Sequence, residues 1–116
     1  MSISGKVNDI LVATTENIPG YRIVKVVGIV TGSVVRARHI GKDFIAALRN
    51  IVGGEVKEYS ELLAQARRDA LKRMVEEAKK LGANAVIGVR FASSMIMSGV
   101  AEILAYGTAV IVEKEL

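Results

Sequence analysis

Few residues in this chain carry the side chains that metal or acid–base chemistry needs. The sequence of 116 residues contains one histidine, His39, and no cysteine. His39 and Asp43 lie four positions apart, one turn if a helix begins early, and form the candidate metal pair, with Glu55 as a further carboxylate. A metal site needs several converging ligands, so one chain offers too few, whereas copies arranged around an axis would supply a ring of imidazoles. The alternative is a surface or interface histidine beside a glycine. The second candidate is basic: Arg36, Arg38, Lys42 and Arg49 crowd the stretch "VVRARHIGKDFIAALRN". Arg36 and Arg38 share a strand face, and guanidinium forks suit phosphate or carboxylate. These four are the candidate anion-binding residues, set against the plainer reading of a solvated edge or intersubunit ion pairs.

Much other chemistry is excluded. Without cysteine there is no disulfide, zinc ribbon or catalytic thiol. Thr14, Thr15 and Glu16 precede a Pro-Gly turn, but no nucleophile, base and orienting group stand together. The chain therefore does not read as an enzyme unless a site is assembled between subunits. Gly53-Gly54 lacks the spacing of the phosphate-binding loops and reads as a turn. Nucleic acid is a poor fit. Single-strand binders use exposed aromatic platforms, and Tyr21, Phe44, Tyr59, Phe91 and Tyr106 read as core positions in a chain only 4% aromatic.

The elements that must position these residues follow from periodicity. "ILVATT" (10–15) is a short strand, with residues 1–9 a loose extension of a single domain spanning 1–116. Pro19-Gly20 makes a turn. "YRIVKVVGIVTGSVVRA" (21–37) is a β-branched strand, in which Gly28 and Gly32 share a face and mark a bulge or a close backbone approach. Within "KDFIAALRNIV", Asp43–Val52 is a short helix. From Glu55 to Leu81, Val56, Tyr59, Leu63, Ala66, Ala70, Met74, Ala78 and Leu81 recur at helical steps. Asp69–Arg73 and Glu76–Lys80 are among its opposite-charge pairs one turn apart, and Gly82 supplies the helix stop. "NAVIGVRFA" and "VAEILAYGTAVIVE" are the last two strands, joined by "SSMIMSG" as a loop or hairpin tip. A symmetric tip would place Arg90 opposite Glu102.

The run from Phe91 to Val112 is almost long enough for a membrane span, but Glu102 at its centre would cost about 2.5–3.5 kcal/mol there. No signal-peptide core begins the chain, so a cytoplasmic protein without a membrane partner is expected. The order strand, helix, strand, strand gives an α/β (α+β) fold with a β-α-β-β core. Its three-stranded mixed sheet has the last strand central and one long helix on one face. The strands are apolar on both faces, as in doubly covered sheets, yet one helix covers one face. Other copies of the chain are the simplest cover, with Val110 expected on the face away from the helix.

The segments "TTENIPGYRI", "GSVVRARHIGKDF", "LRNIVGGE", "YSELLAQARRDAL", "LGANAVIGVRF" and "AEILAYGTAVIVE" together resemble the YbjQ-like family over about residues 10–113. The resemblance implies a dodecin-subunit-like fold, a homo-pentamer and a heavy-metal-binding role; it carries over no catalytic residue. His39 stands where the family pattern has asparagine. Soft metals select thiolates, which this chain lacks. The expectation is a homo-oligomeric protein binding a divalent metal ion or a small anion at subunit interfaces. The alternatives are a ring-forming structural module with no small ligand and, third, an enzyme with a shared site.

Overall fold

The computed structural model of the chain describes residues 5–37 and 57–116. The expected short helix at 43–52 lies outside the described residues. Five strands, β1 (Lys6–Val7), β2 (Ile10–Val12), β3 (Tyr21–Ala37), β4 (Ala85–Met97) and β5 (Val100–Lys114), form one sheet in the order β1-β2-β4-β5-β3. Among the described residues one helix, α1 (Lys57–Lys80), packs on it. Of the three long strands the last is central, lying between β3 and β4 and antiparallel to both. This is the expected β-α-β-β core, in an α+β fold.

Two strands extend the core. β2 joins β4 in parallel through Leu11↔Ala85 and Val12↔Val86. β1 folds back on β2 inside the stretch read as a loose extension. Its turn is Asn8-Asp9, with φ of 49° and 67°, the left-handed pair that tight hairpins favour.

The helix buries Ala66, Ala70, Leu71, Met74, Val75 and Ala78 against Val30, Val34, Val86, Val89, Ile103, Ala105 and Ala109. Leu71 and Val75 widen the expected stripe, and Leu81 is exposed instead of closing it. After the last turn the Ala83 N–H bonds the Ala78 carbonyl at 3.1 Å and the Gly82 N–H bonds that of Lys79 at 3.0 Å. With Gly82 at φ 85°, this is a Schellman stop. The Asp69–Arg73 pair does not form. Asp69 turns to Arg36 and Gln65, while Arg73 donates to the Ser33 carbonyl.

On the far face, Ala85, Ile87, Val110 and Val112 pack under Leu11, Ile18 and Tyr21. The Tyr21 N–H bonds the Ile18 carbonyl at 3.0 Å across Pro19-Gly20, which swings this cover over one end of the sheet. Val110 thus lies away from the helix, as expected, but is sealed within the protomer's own core. The rest of that face has no cover among the described residues.

Candidate functional site

Of the six candidate ligands, Arg36 alone lies among the described residues; Arg38, His39, Lys42, Asp43 and Arg49 lie outside them. Arg36 stands on the helix side of β3, and its Nη2 donates to Asp69 Oδ2 at 2.8 Å. Both side chains are about one-third exposed, at 33% and 28%. The guanidinium therefore ties β3 to α1, and a carboxylate already meets the charge an anion would use.

The polar group that stands out is Glu102. The expected Arg90–Glu102 pair is not formed: Arg90 faces Tyr106, while Glu102 faces Ser94 on β4 and Val35 on β3. β4 continues to Met97, leaving Ser98-Gly99 as the turn, with Gly99 at φ 76°. Turning later shifts the register and moves Arg90 away from Glu102. Arg90 instead donates to the Thr14 and Val89 carbonyls at 2.7 and 2.9 Å. Glu102 Oε2 accepts a hydrogen bond from Ser33 Oγ at 2.9 Å.

This Ser33–Glu102 pair sits within the uncovered part of the far face. Alternation along the strands puts Ile23, Val26, Ile29 and Val35 of β3, with Leu104 and Tyr106 of β5, on that side. Ile29 is 78% exposed and Val26 63%, an apolar surface along an edge strand. Tyr106 and Phe91, read from the sequence as core positions, are both exposed. Sequence reasoning missed the Ser33–Glu102 pair because the two lie far apart in the chain. The available signal was the odd carboxylate in an apolar strand.

The described residues do not fit a heavy-metal centre. They contain no group of three or more histidine, cysteine, aspartate or glutamate side chains that would hold an ion. The chain has no thiolate, and Glu102 is an oxygen donor suited to hard cations. Among the described residues no helix is long and apolar enough to cross a membrane.

Comparison with known proteins agrees with the fold. The chain is 62% identical over 109 residues to a UPF0145 protein of Thermococcus kodakarensis, covering 94% of this chain and 96% of that one. It is 58% identical over 104 residues to a UPF0145 protein of Thermotoga petrophila, covering 90% and 98%. The crystal structure of a DUF74-family protein of unknown function from Pediococcus pentosaceus superposes with a TM-score of 0.57 at 15% identity. That superposition covers 90% of this chain and 98% of the other and shows the fold alone. The YbjQ family model, described as "Putative heavy-metal-binding", matches residues 10–113, and with these relatives it establishes that the chain belongs to the YbjQ family of UPF0145 proteins.

Proposed function

We propose that the protein acts as a homo-oligomer, a pentamer, that holds a small ligand between its subunits. The observation that carries this reading is the uncovered apolar face of β3 and β5 around the Ser33–Glu102 pair. Ile23, Val26 and Ile29, with Val35 further along the strand, leave exposed apolar surface of the kind soluble monomers rarely keep. A second copy laid on this face would bury them and take Glu102 further from water. A buried carboxylate needs a partner, and rotational symmetry would bring one from each subunit toward a shared ligand.

The carboxylate and its hydroxyl neighbour favour a hard divalent cation on this face. The anion alternative rests on Arg38, Lys42 and Arg49, because Arg36 is committed to Asp69. Native mass spectrometry tests both steps. A pentamer retaining divalent metal, with the metal lost in Glu102→Gln, is expected. A pentamer that takes up neither metal nor phosphate would favour the ring as a purely structural module, and a monomer at micromolar concentration would overturn the assembly.

A further inference from the structure

We propose that the open edge of β4 between Phe91 and Met95 accepts an extended peptide as an added strand, with Arg67 of α1 selecting an acidic side chain. This site lies on the opposite edge of the sheet from β3 and does not depend on the assembly proposed above.

β4 has two different outer edges along its length. Up to Val89 its outer edge is satisfied: β2 pairs at Ala85 and Val86, and the Gly88 and Val89 N–H groups donate to the Thr15 and Ala13 carbonyls at 2.9 and 3.1 Å. Beyond Val89 no such bond occurs among the described residues, while the inner edge stays paired with β5 to Met97. Alternate residues of a strand send both main-chain groups to the same side. Since Val89 points outward, so do Phe91, Ser93 and Met95. An extended chain laid beside them would find three donors and three acceptors already in line. Strand addition of this kind gains affinity from the main chain and specificity from pockets for alternate side chains.

The adjoining surface supplies such a pocket. A groove of about 340 Å³ follows this edge, walled by Leu63, Phe91, Met95 and Ile103, with Arg67 and Ser93 as polar groups. Its apolar walls are open to solvent, with Met95 70% and Phe91 42% exposed. Arg67 has no ion-pair partner among the described residues. An apolar side chain would fill the wall, and a carboxylate two residues along, on the same face, would meet the guanidinium. The edge carries no acidic residue between Arg90 and Met97 to repel that carboxylate and no proline to block pairing. The occupant is thus a segment of another protein in which apolar residues alternate with polar ones and an acid takes the place of one of the apolar residues, on the same face. β3 of a second copy fits less well, because Tyr21–Ala37 contains no acidic residue.

The test uses the full chain and a fluorescein-labelled hexapeptide alternating valine and threonine, with one central glutamate in place of a valine, so that acid and valines share the face turned to the groove. Fluorescence anisotropy should show saturable binding, weakened about tenfold or more by Arg67→Glu through like-charge repulsion. Lysine in place of the peptide's glutamate should restore binding to that variant. The peptide N-methylated at alternate residues should not bind, a control that leaves the protein unaltered. In peptide-free protein the Phe91, Ser93 and Met95 amides should exchange quickly with deuterium and slow when peptide is added. Equal binding of the methylated peptide, or indifference to the Arg67 charge reversal, would overturn the proposal. So would slow exchange of all three amides before peptide is added, which would mean that another copy already covers the edge. Binding should survive Val26→Asp, a change on the proposed assembly face.

Discussion

Gly32 of β3 lies directly beneath the Ala70 carbonyl and the Met74 N–H of the helix. A Cβ at Gly32 would run into both backbone groups, so glycine here sets how closely α1 approaches the sheet. Gly32→Val should therefore lift the helix off Val30 and Val34. The expected cost is about 3 kcal/mol or more, at or above the upper end of ordinary overpacking, because backbone cannot rotate aside. Urea unfolding checks this, and wild-type stability in the variant would show that the helix can shift freely.

The Arg36–Asp69 bridge joins the same two elements at 2.8 Å. With both side chains partly exposed, solvent discounts its strength, and a double-mutant cycle with Arg36→Ala and Asp69→Ala should give a coupling of about 1 kcal/mol. The coupling should shrink in molar salt as screening grows. Zero coupling at low salt would return Arg36 to the set of cations available for an anion.

The parts of the fold legible in the sequence are those with sustained periodicity. The helix at Lys57–Lys80, the long strand at 21–37 and the last strand central between β3 and β4 followed from spacing and crossover geometry. β4 was harder, because Ser93, Ser94 and Gly99 look like loop residues. The strand nevertheless runs to Met97, since Ser98-Gly99 alone suffice for the turn, and the Arg90–Glu102 register failed with that misjudged length. Arg36 and Asp69 lie 33 positions apart, and local spacing offered Asp69 the nearer Arg73. Contacts between distant elements of this kind were not readable without the packed structure. The candidates around His39 lie outside the described residues, so the site was legible only as far as the oddity of Glu102.

Asn84 completes a strand with its side chain. Its Nδ2 donates to the Val112 carbonyl at 2.9 Å, and its Oδ1 accepts from the Val112 N–H at 2.8 Å. Asn84→Ala should leave both Val112 groups without these partners, costing about 1–3 kcal/mol. Asn84→Asp should cost at least as much, since a carboxylate would then face the Val112 carbonyl. Thermal melting of the two variants decides this; an Asp variant as stable as wild type would show that the donated bond contributes little.

The corrected register makes a prediction of its own. Arg90 and Glu102 should show no coupling beyond about 0.3–0.5 kcal/mol in a double-mutant cycle, as expected of independent positions. Ser33→Ala and Glu102→Gln should couple instead, because Ser33 Oγ donates to Glu102 at 2.9 Å. A strong Arg90–Glu102 coupling would restore the symmetric hairpin tip.

The assembly face gives the last test, in which two kinds of buried position must behave differently. Val26 and Ile29 are 63% and 78% exposed in the protomer, so aspartate at either site should cost an isolated chain no more than about 0.5 kcal/mol. In an assembly that buries this face, the same charge would be desolvated without a partner, which is prohibitive. Val26→Asp with Ile29→Asp should therefore yield a folded monomer, with helical circular dichroism intact and the mass of one chain by light scattering. Val110→Asp should behave otherwise: Val110 is sealed under Leu11, Ile18 and Tyr21 within one protomer, so the charge should unfold the chain instead of dissociating it. If the Val26/Ile29 double variant keeps the oligomer, subunits meet on another surface, and Glu102 loses its claim to an interface ligand.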